Sequence, residues 1–191
     1  MELRAGLVGL GMMGKNHARV MGSTENVELV GIADPLGDPT GTINSELIFS
    51  SLEELIDQDI DLAVVACPTI EHEQVAMKLC EAGIHTLVEK PLAIDTEAAL
   101  RIANAFQKAN LVGAVGHIER FNPAIRSMRQ RIAEGELGEL YQISTRRIGP
   151  FPNRIRDVGV VKDLATHDLD LTVWVGNSQF KQISAHTAHK A

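Results

Sequence analysis

The sequence predicts an α/β fold in which helices cover both faces of a doubly wound parallel sheet, followed by the start of an α+β domain. Short apolar segments alternate with helix-like segments as far as about residue 120, a pattern typical of βαβ units. A G-x-G-x-x-G spacing follows the first apolar segment. We therefore place one domain at residues 1–120 and the beginning of a second at residues 121–191.

Strands and helices of the first domain follow from these alternating segments. The strands are expected within residues 4–10, 27–34, 61–68, 85–91 and 111–117, and the helices within residues 13–21, 51–56, 71–83 and 95–110. Because crossovers between parallel strands are right-handed, the helices should lie on both faces of the sheet.

Local signals mark the ends and inner faces of these helices. Ser51 stands three residues before Glu54, which is the spacing of a capping box. Asp95 is the expected cap of the last helix, and Gly83 is the expected stop of the one before. The residues expected to face the core are Val75, Leu79 and Ala82 on the third helix and Leu100, Ala103 and Phe106 on the fourth.

The second domain is expected to be incomplete. Residues 119–140 and 160–176 read as helices, and residues 141–148 and 179–188 alternate as strands with one wet face do. Two strands with so few helices cannot form a stable core of their own. We therefore expect this unit either to pack on the first domain or to be cut short.

Composition narrows the class of protein. The apolar content is 45% and the charged content 23%, values typical of a globular chain. A net charge of -7 argues against nucleic acid or an anionic membrane as a partner. No secretory signal or membrane-spanning run is visible. Cys67 and Cys80 lie in segments predicted to be buried, so we expect free thiols in a reducing cytoplasm.

The glycine motif predicts a Rossmann dinucleotide-binding loop. Gly9 would permit a tight turn, Gly11 would let a pyrophosphate approach the backbone, and Gly14 would let the helix pack close to the strand. Met12 and Met13 complete the loop, "GLGMMG", and are expected beside the cofactor. The alternative is a glycine turn that serves packing alone.

Asp34 predicts which dinucleotide binds. It follows the second strand about 20 residues beyond the last glycine, where an acid can accept hydrogen bonds from the ribose hydroxyls of NAD. The same charge would repel the 2′-phosphate of NADP. The chain also has no Lys or Arg between Arg19 and Lys78. We therefore predict NAD as cofactor, in preference to NADP.

Four motifs together resemble one family. They are "GLGMMGKNH" at the start, "CPTIEH" after the third long apolar segment, "EKP" at 89–91 and "DLATHDLDL" at 163–171. In this order they resemble the Gfo/Idh/MocA oxidoreductases, the group of glucose-fructose oxidoreductase and inositol dehydrogenase. The resemblance implies a second domain built as a large open sheet, of which this chain holds the first strands. It also implies a homo-oligomer when the chain is full length.

The resemblance also implies roles for residues of the first domain. Pro68, Thr69 and His72 would lie beside the nicotinamide half of the cofactor. Glu89 and Lys90 would stand at the bottom of the cleft, and a cis bond before Pro91 could fix the direction of Lys90. From the residues alone, Lys90 could instead be a solvated lysine paired with Glu89.

Asp163 and His167 stand four residues apart, so on a helix they share a face. They could hold a cation with Asp168 or Asp170, form a cap or surface pair, or meet Lys90 across the cleft as catalytic residues. In the catalytic interpretation, hydride leaves an alcohol carbon for the nicotinamide, and Lys90 or His167 takes the hydroxyl proton while Asp163 orients the site. No metal is predicted.

The substrate is expected to be a sugar, a cyclitol or a nucleotide-sugar. Arginines of "RRIGPFPNRIRD" suit phosphate, and "GHIERFNPA" is similar to the family's nucleotide-sugar 3-dehydrogenases, such as those acting on UDP-N-acetylglucosamine. The candidate substrate residues are His117, Arg120, Arg147 and Arg154. Surface arginines are common, however, so a neutral substrate stays open. The alternative class is a non-catalytic NAD(H)-binding regulatory module or an inactive fragment.

Overall fold

The computed structural model describes residues 2–148, 159 and 161–188. The chain divides into two compact units, and the boundary lies between Gly116 and His117. The division falls shortly before the predicted domain boundary, and the separate roles of the two domains stay predictions.

The first unit contains a parallel sheet with strands in the order β3-β2-β1-β4-β5-β6. The strands are β1 Leu3–Val8, β2 Val27–Ala33, β3 Ile48–Phe49, β4 Leu62–Val65, β5 His85–Val88 and β6 Gly113–Val115. From β1 the sheet extends through β2 to β3 on one side, and through β4 and β5 to β6 on the other. This confirms the predicted doubly wound sheet, with its switch point between β1 and β4. Strand β3 was missed because two residues are too short to show a pattern.

Four helices connect these strands. They are α1 Met12–Met21, α2 Leu52–Ile56, α3 His72–Glu81 and α4 Thr96–Lys108. The predicted caps are confirmed: the Ser51 hydroxyl accepts from the N–H of Glu54 at 3.2 Å, and the Asp95 carboxylate accepts from the N–H of Ala98 at 2.8 Å. Gly83 ends α3 with φ at +78°, a conformation that glycine adopts without strain.

Two hydrophobic clusters lie on opposite faces of the sheet. Successive strand residues point to opposite faces, so Val64 joins the cluster with α1 while Ala63 and Val65 join the cluster with α2, α3 and α4. The helices therefore cover both faces, as predicted.

The predicted inner faces of α3 and α4 need correction. Ala82 and Ala103 are exposed, and the Leu100 side chain is 55% exposed. The buried stripe of α4 instead follows a spacing of four, through Ala98, Ile102 and Phe106, which stays on one side of a helix. Of the residues expected inside, Leu79 and Phe106 are buried and Val75 is half-buried.

The second unit is mainly helical. Its helices are α5 Pro123–Ala133 and α6 Thr166–Gly176, the latter preceded by a π-helical turn at Val161–Ala165. The helix predicted over residues 119–140 is shorter, because Asn122 caps α5 directly before Pro123, and Gly135 follows it with φ at +80°. The Arg129 guanidinium lies 4.4 Å from the centre of the Trp174 ring and joins α5 to α6.

The two strands predicted in the second unit are not formed. Residues 141–148 and 179–188 are all described and carry no strand structure. Their alternating pattern is compatible with a strand, but a strand also requires a ladder partner, and neither segment pairs with another in the described chain. Among the helices within residues 2–148 and 161–188, none is long and apolar enough to cross a bilayer.

Candidate active site

A cavity of about 990 Å³ lies in the first unit where strands β1, β2 and β4 end. The predicted cofactor residues that line it are Gly9, Gly11, Met12, Met13, Asp34, Pro68 and Thr69. Open parallel sheets bind ligands at this position, at the switch point beyond the carboxyl ends of the strands. The structure therefore brings together two loops that lie apart in the sequence, the glycine loop after β1 and the loop after β4.

The three glycines of the loop differ in what surrounds them. Gly9 has φ at +92°, and a β-carbon there would lie 2.6 Å from the backbone nitrogen of Cys67. A β-carbon on Gly14 would overlap the carbonyl oxygen of Gly9. Gly11 is different, because a β-carbon there would meet no atom of the described residues within 4 Å. Two glycines thus serve backbone packing, and the third leaves open space at the cavity.

Helix α1 begins at this open glycine. Gly11 is its N-cap residue and offers no capping side chain, and the first turn, which is fully described, carries no acidic residue. The first N–H groups of a helix lack partners within it and bear a partial positive charge. The loop, the helix and the open space at Gly11 therefore fit a dinucleotide pyrophosphate.

Asp34 is anchored at the edge of the cavity. One carboxylate oxygen accepts from the N–H of Leu10 at 2.7 Å and the other from the N–H of Leu36 at 2.8 Å. Each carboxylate oxygen can accept a further hydrogen bond, so these contacts orient Asp34 without exhausting its capacity to accept from ribose hydroxyls.

The loop that follows β2 is in contact with a cation from outside the stretch between Arg19 and Lys78, which has no Lys or Arg. Lys15, on α1, places Nζ 3.2 Å from the carboxylate of Asp38, in the loop that follows Asp34. The hydroxyl of Thr40, backbone N–H groups and Lys15 hold the pKa of Asp38 well below its usual range. Asp38 is therefore ionised and offsets the Lys15 charge.

His72, expected beside the nicotinamide half of the cofactor, is not among the residues that line this cavity. Its side chain is 1% exposed. Nδ1 lies 3.0 Å from the carbonyl oxygen of Pro91, and Nε2 lies 3.0 Å from that of Cys67. His72 thus joins the loop after β4 to the turn after β5 from inside the protein.

Glu89, Lys90 and Pro91 follow β5 directly. The Lys90–Pro91 peptide bond is cis, as the resemblance implied. Lys90 is half-buried, whereas Glu89 is only 5% exposed and accepts from the N–H of Lys90 at 3.1 Å. The second partner of Glu89 is His17, whose Nε2 lies 2.7 Å from Oε1.

The charge on Glu89 is stabilised despite its burial. Burial alone raises the pKa of Glu89, but the hydrogen bond and charge of His17, with the N–H and charge of Lys90, bring it below the usual 4.5. His17 was missed by the sequence analysis. One feature of the sequence could have indicated it: His17 is a polar ring three residues after Gly14, on the helix that follows the glycine loop and packs on the sheet.

In the second unit, Asp163 is 7% exposed in the π-helical turn, and His167 is half-buried in the first turn of α6. Asp168 and Asp170, the other candidates for a cation site, are paired with Arg147 and Arg120 respectively. The part of the chain that the structure describes contains no group of three or more His, Cys, Asp or Glu side chains that could hold a metal ion.

The arginines proposed for substrate phosphate are already paired with carboxylates. Arg120 binds Asp170 through Nε at 2.9 and 3.2 Å, and His117 Nδ1 lies 3.7 Å from the same carboxylate. Arg147 lies 3.0 Å from Asp168 and 3.6 Å from Glu119. Both positive charges are thus offset locally. Arg154 lies outside the described residues.

A doubly wound sheet with an open glycine at the start of α1 defines a Rossmann nucleotide-binding domain. Residues 3–117 match the oxidoreductase family with an NAD-binding Rossmann fold, GFO_IDH_MocA, and residues 125–191 match the GFO/IDH/MocA C-terminal domain. The chain belongs to this family. The predicted resemblance and the NAD-binding Rossmann fold are therefore confirmed.

Relatives of known activity match along most of the chain. UDP-N-acetylglucosamine 3-dehydrogenase of Acidithiobacillus ferrooxidans is 34% identical over 175 residues, covering 90% of this chain and 54% of that protein. The scyllo-inositol 2-dehydrogenase (NAD(+)) of Bacillus subtilis is 28% identical over 195 residues, covering 97% and 57%. The chain thus spans little more than half the length of the curated relatives it matches.

Solved structures agree with the fold. The A. ferrooxidans UDP-N-acetylglucosamine 3-dehydrogenase superposes with a TM-score of 0.79 at 32% identity, over 98% of this chain and 62% of that chain. A probable dehydrogenase from Thermotoga maritima gives a TM-score of 0.84 at 25% identity, over 93% and 56%.

Proposed function

We propose that the protein is an NAD-dependent dehydrogenase that acts on a secondary alcohol of a sugar, a cyclitol or a nucleotide-sugar. The observation that carries the proposal is the cavity at the switch point, with Gly11 open toward it and Asp34 anchored at its edge. The relatives named above support the same reaction class.

The first unit would hold the cofactor. The N–H groups at the start of α1 would bind the pyrophosphate, and Asp34 would accept from the ribose hydroxyls. Asp38 offsets the charge of Lys15 and the charge of Asp34 would repel a 2′-phosphate, so we expect NAD to be preferred to NADP. When bound, the nicotinamide accepts the hydride that leaves the alcohol carbon.

The proposed catalytic residues are Lys90, His167 and Asp163. Lys90 would stabilise negative charge on the alcohol oxygen. His167 has a side chain suited to take a proton near neutral pH, and Lys90 could share it. Asp163, a buried carboxylate, would orient the neighbouring groups.

A nucleotide-sugar is the substrate we favour, because the relative at 34% identity is a UDP-N-acetylglucosamine 3-dehydrogenase. The pairing of Arg120 and Arg147 with carboxylates keeps a neutral cyclitol as the second candidate, as in the inositol dehydrogenase relative. We further propose a cytoplasmic homo-oligomer without nucleic acid or membrane as partner.

The proposal is tested with the polypeptide as the cell makes it. UDP-sugars, free sugars and inositols are screened with NAD, and NADH fluorescence reports turnover. A UDP-sugar should give the highest kcat/KM. Tight NADH binding with no turnover on any of the three classes would favour the regulatory-module alternative instead.

A further inference from the structure

We propose that His17 and His72 are positioning residues that fix Lys90 from its two sides, His17 through Glu89 and His72 through Pro91. The inference rests on the proposed function, because it assumes that the place of Lys90 matters for chemistry. Neither histidine lies in the cavity wall formed by the described residues, so each would act through its neighbour.

The first contact joins α1 to the residue before Lys90. The Glu89 carboxylate is buried, and an ionised carboxylate can only accept hydrogen bonds. Nε2 of His17, at 2.7 Å, is therefore the donor, and the second carboxylate oxygen accepts from the N–H of Lys90. On another side, a β-carbon on Gly116 would come within 3.0 Å of the same carboxylate. Glu89 is thus confined by His17, by Lys90 and by the backbone of Gly116.

The second contact joins α3 to the residue after Lys90. His72, the first residue of α3, is fully buried and has a carbonyl oxygen 3.0 Å from each ring nitrogen. The oxygen on Nδ1 belongs to Pro91, and the oxygen on Nε2 belongs to Cys67 of the cavity wall. Carbonyl oxygens can only accept hydrogen bonds. Whichever ring nitrogen of His72 carries a hydrogen therefore donates it to the carbonyl oxygen that lies beside that nitrogen.

These contacts together fix the backbone of Lys90, from which its side chain extends. A lysine has a flexible four-carbon stem, and its ammonium can be placed reproducibly only if its backbone is fixed. The strand fixes one end, since the N–H of Glu89 donates to Val65 at 2.9 Å and the N–H of Gly116 donates to Val88 at 2.8 Å. The two histidines supply the rest, and misplacement of a reacting group by about 1 Å can lower a rate about a hundredfold.

The sharpest test uses two substitutions at one buried position. His72→Asn keeps a donor near the Nδ1 position, facing Pro91, whereas His72→Gln keeps one near the Nε2 position, facing Cys67. If the contact with Pro91 positions Lys90, H72N should retain at least about ten times the kcat of H72Q, with KM for NAD within about twofold. At position 17, His17→Gln keeps the donor to Glu89 and should rescue the loss seen in His17→Leu. His186→Gln, at an exposed position of the second unit, is the control.

A second readout does not depend on turnover. The rate at which limiting acetic anhydride labels Lys90, followed by mass spectrometry, reports the exposure and reactivity of its amine. We expect this rate to change at least about threefold in H17L and H72Q, and to stay near the wild-type value in H17Q, H72N and H186Q. Equal labelling and equal kcat in H72N and H72Q would overturn the inference.

The labelling also separates the inference from the proposed function. If the wild-type protein turns over no substrate, the proposed function fails, while the labelling of Lys90 still decides whether the histidines position it. If H17L does not fold, the two His72 variants decide the matter alone.

Discussion

Gly14 lies so close to the carbonyl oxygen of Gly9 that a β-carbon on Gly14 would overlap it. A β-carbon on Gly11 meets nothing within 4 Å among the described residues. We therefore expect Gly14→Ala to destabilise the protein by about 3 kcal/mol or more, and Gly11→Ala to change Tm by no more than about 2 °C. Thermal unfolding of the two variants measures this difference.

Gly11→Ala should nevertheless weaken cofactor binding. Its methyl group would occupy the space in which the pyrophosphate would approach the helix, so Kd for NADH should rise at least about tenfold. Fluorescence titration checks the value, with Gly22→Ala, at the exposed C-cap of α1 where φ is -65°, as the control for a glycine substitution. A G11A protein that binds NADH as tightly as wild type would contradict the proposed phosphate site.

Lys90→Ala should lower kcat by about a hundredfold or more while Kd for NADH changes by less than about threefold. The reason is that the proposed role of Lys90 lies in the charge on the alcohol oxygen rather than in holding the cofactor. Lys181→Ala, at an exposed position of the second unit, controls for the loss of one positive charge. Near-normal turnover in K90A would refute the assignment.

Asp34→Asn should shift the preference between the two cofactors. The amide oxygen can still accept from the N–H of Leu10, while the charge that repels a 2′-phosphate is removed. We expect the ratio of the Kd values for NADPH and NADH to fall about tenfold. Asp57→Asn, at the end of α2, is the control, and an unchanged ratio would remove Asp34 from the determinants of specificity.

Glu89 should make stability depend on pH in the acidic range. Its pKa is lowered in the folded protein, with His17 and Lys90 as the charged groups acting on it. The folded state therefore binds fewer protons than the unfolded state, so this contribution is complete above about pH 5 and is lost as the pH falls through the lowered pKa. The fall in Tm between about pH 5 and about pH 3 should be shallower in Glu89→Gln than in wild type. Glu25→Gln, in an exposed turn, should follow the wild-type curve.

Local chemistry explains which parts of the fold were predictable. Ser51 and Asp95 cap their helices through contacts within three residues, so the sequence was enough to place them. The face of α4 was not, because residues 100, 103 and 106 and residues 98, 102 and 106 both form apolar stripes that share Phe106. Packing against the sheet determines which stripe of α4 is buried, and the position of the sheet depends on other segments of the chain.

The candidate site shows the same division. The spacing of the glycines and Asp34 was enough to predict their role. The role proposed for His17 depends on its contact with Glu89, which lies far along the chain and could not be predicted from the residues around His17. Arg147 was selected for its charge, and the carboxylates of Asp168 and Glu119 that offset this charge could not be inferred from neighbouring residues. Long-range pairing was the information that the sequence pattern lacked.

The placement of β4 beside β1 has a consequence for how the protein is made. The N–H of Arg4, on β1, donates to Asp61, which stands 57 positions later, just before β4. During synthesis β1 and β2 can pair early, but the wall formed by Cys67, Pro68 and Thr69 cannot exist until β4 has left the ribosome. Since a ligand stabilises only conformations that bind it, NAD can assist the folding of this unit only once β4 has joined β1, and none of the stages before that.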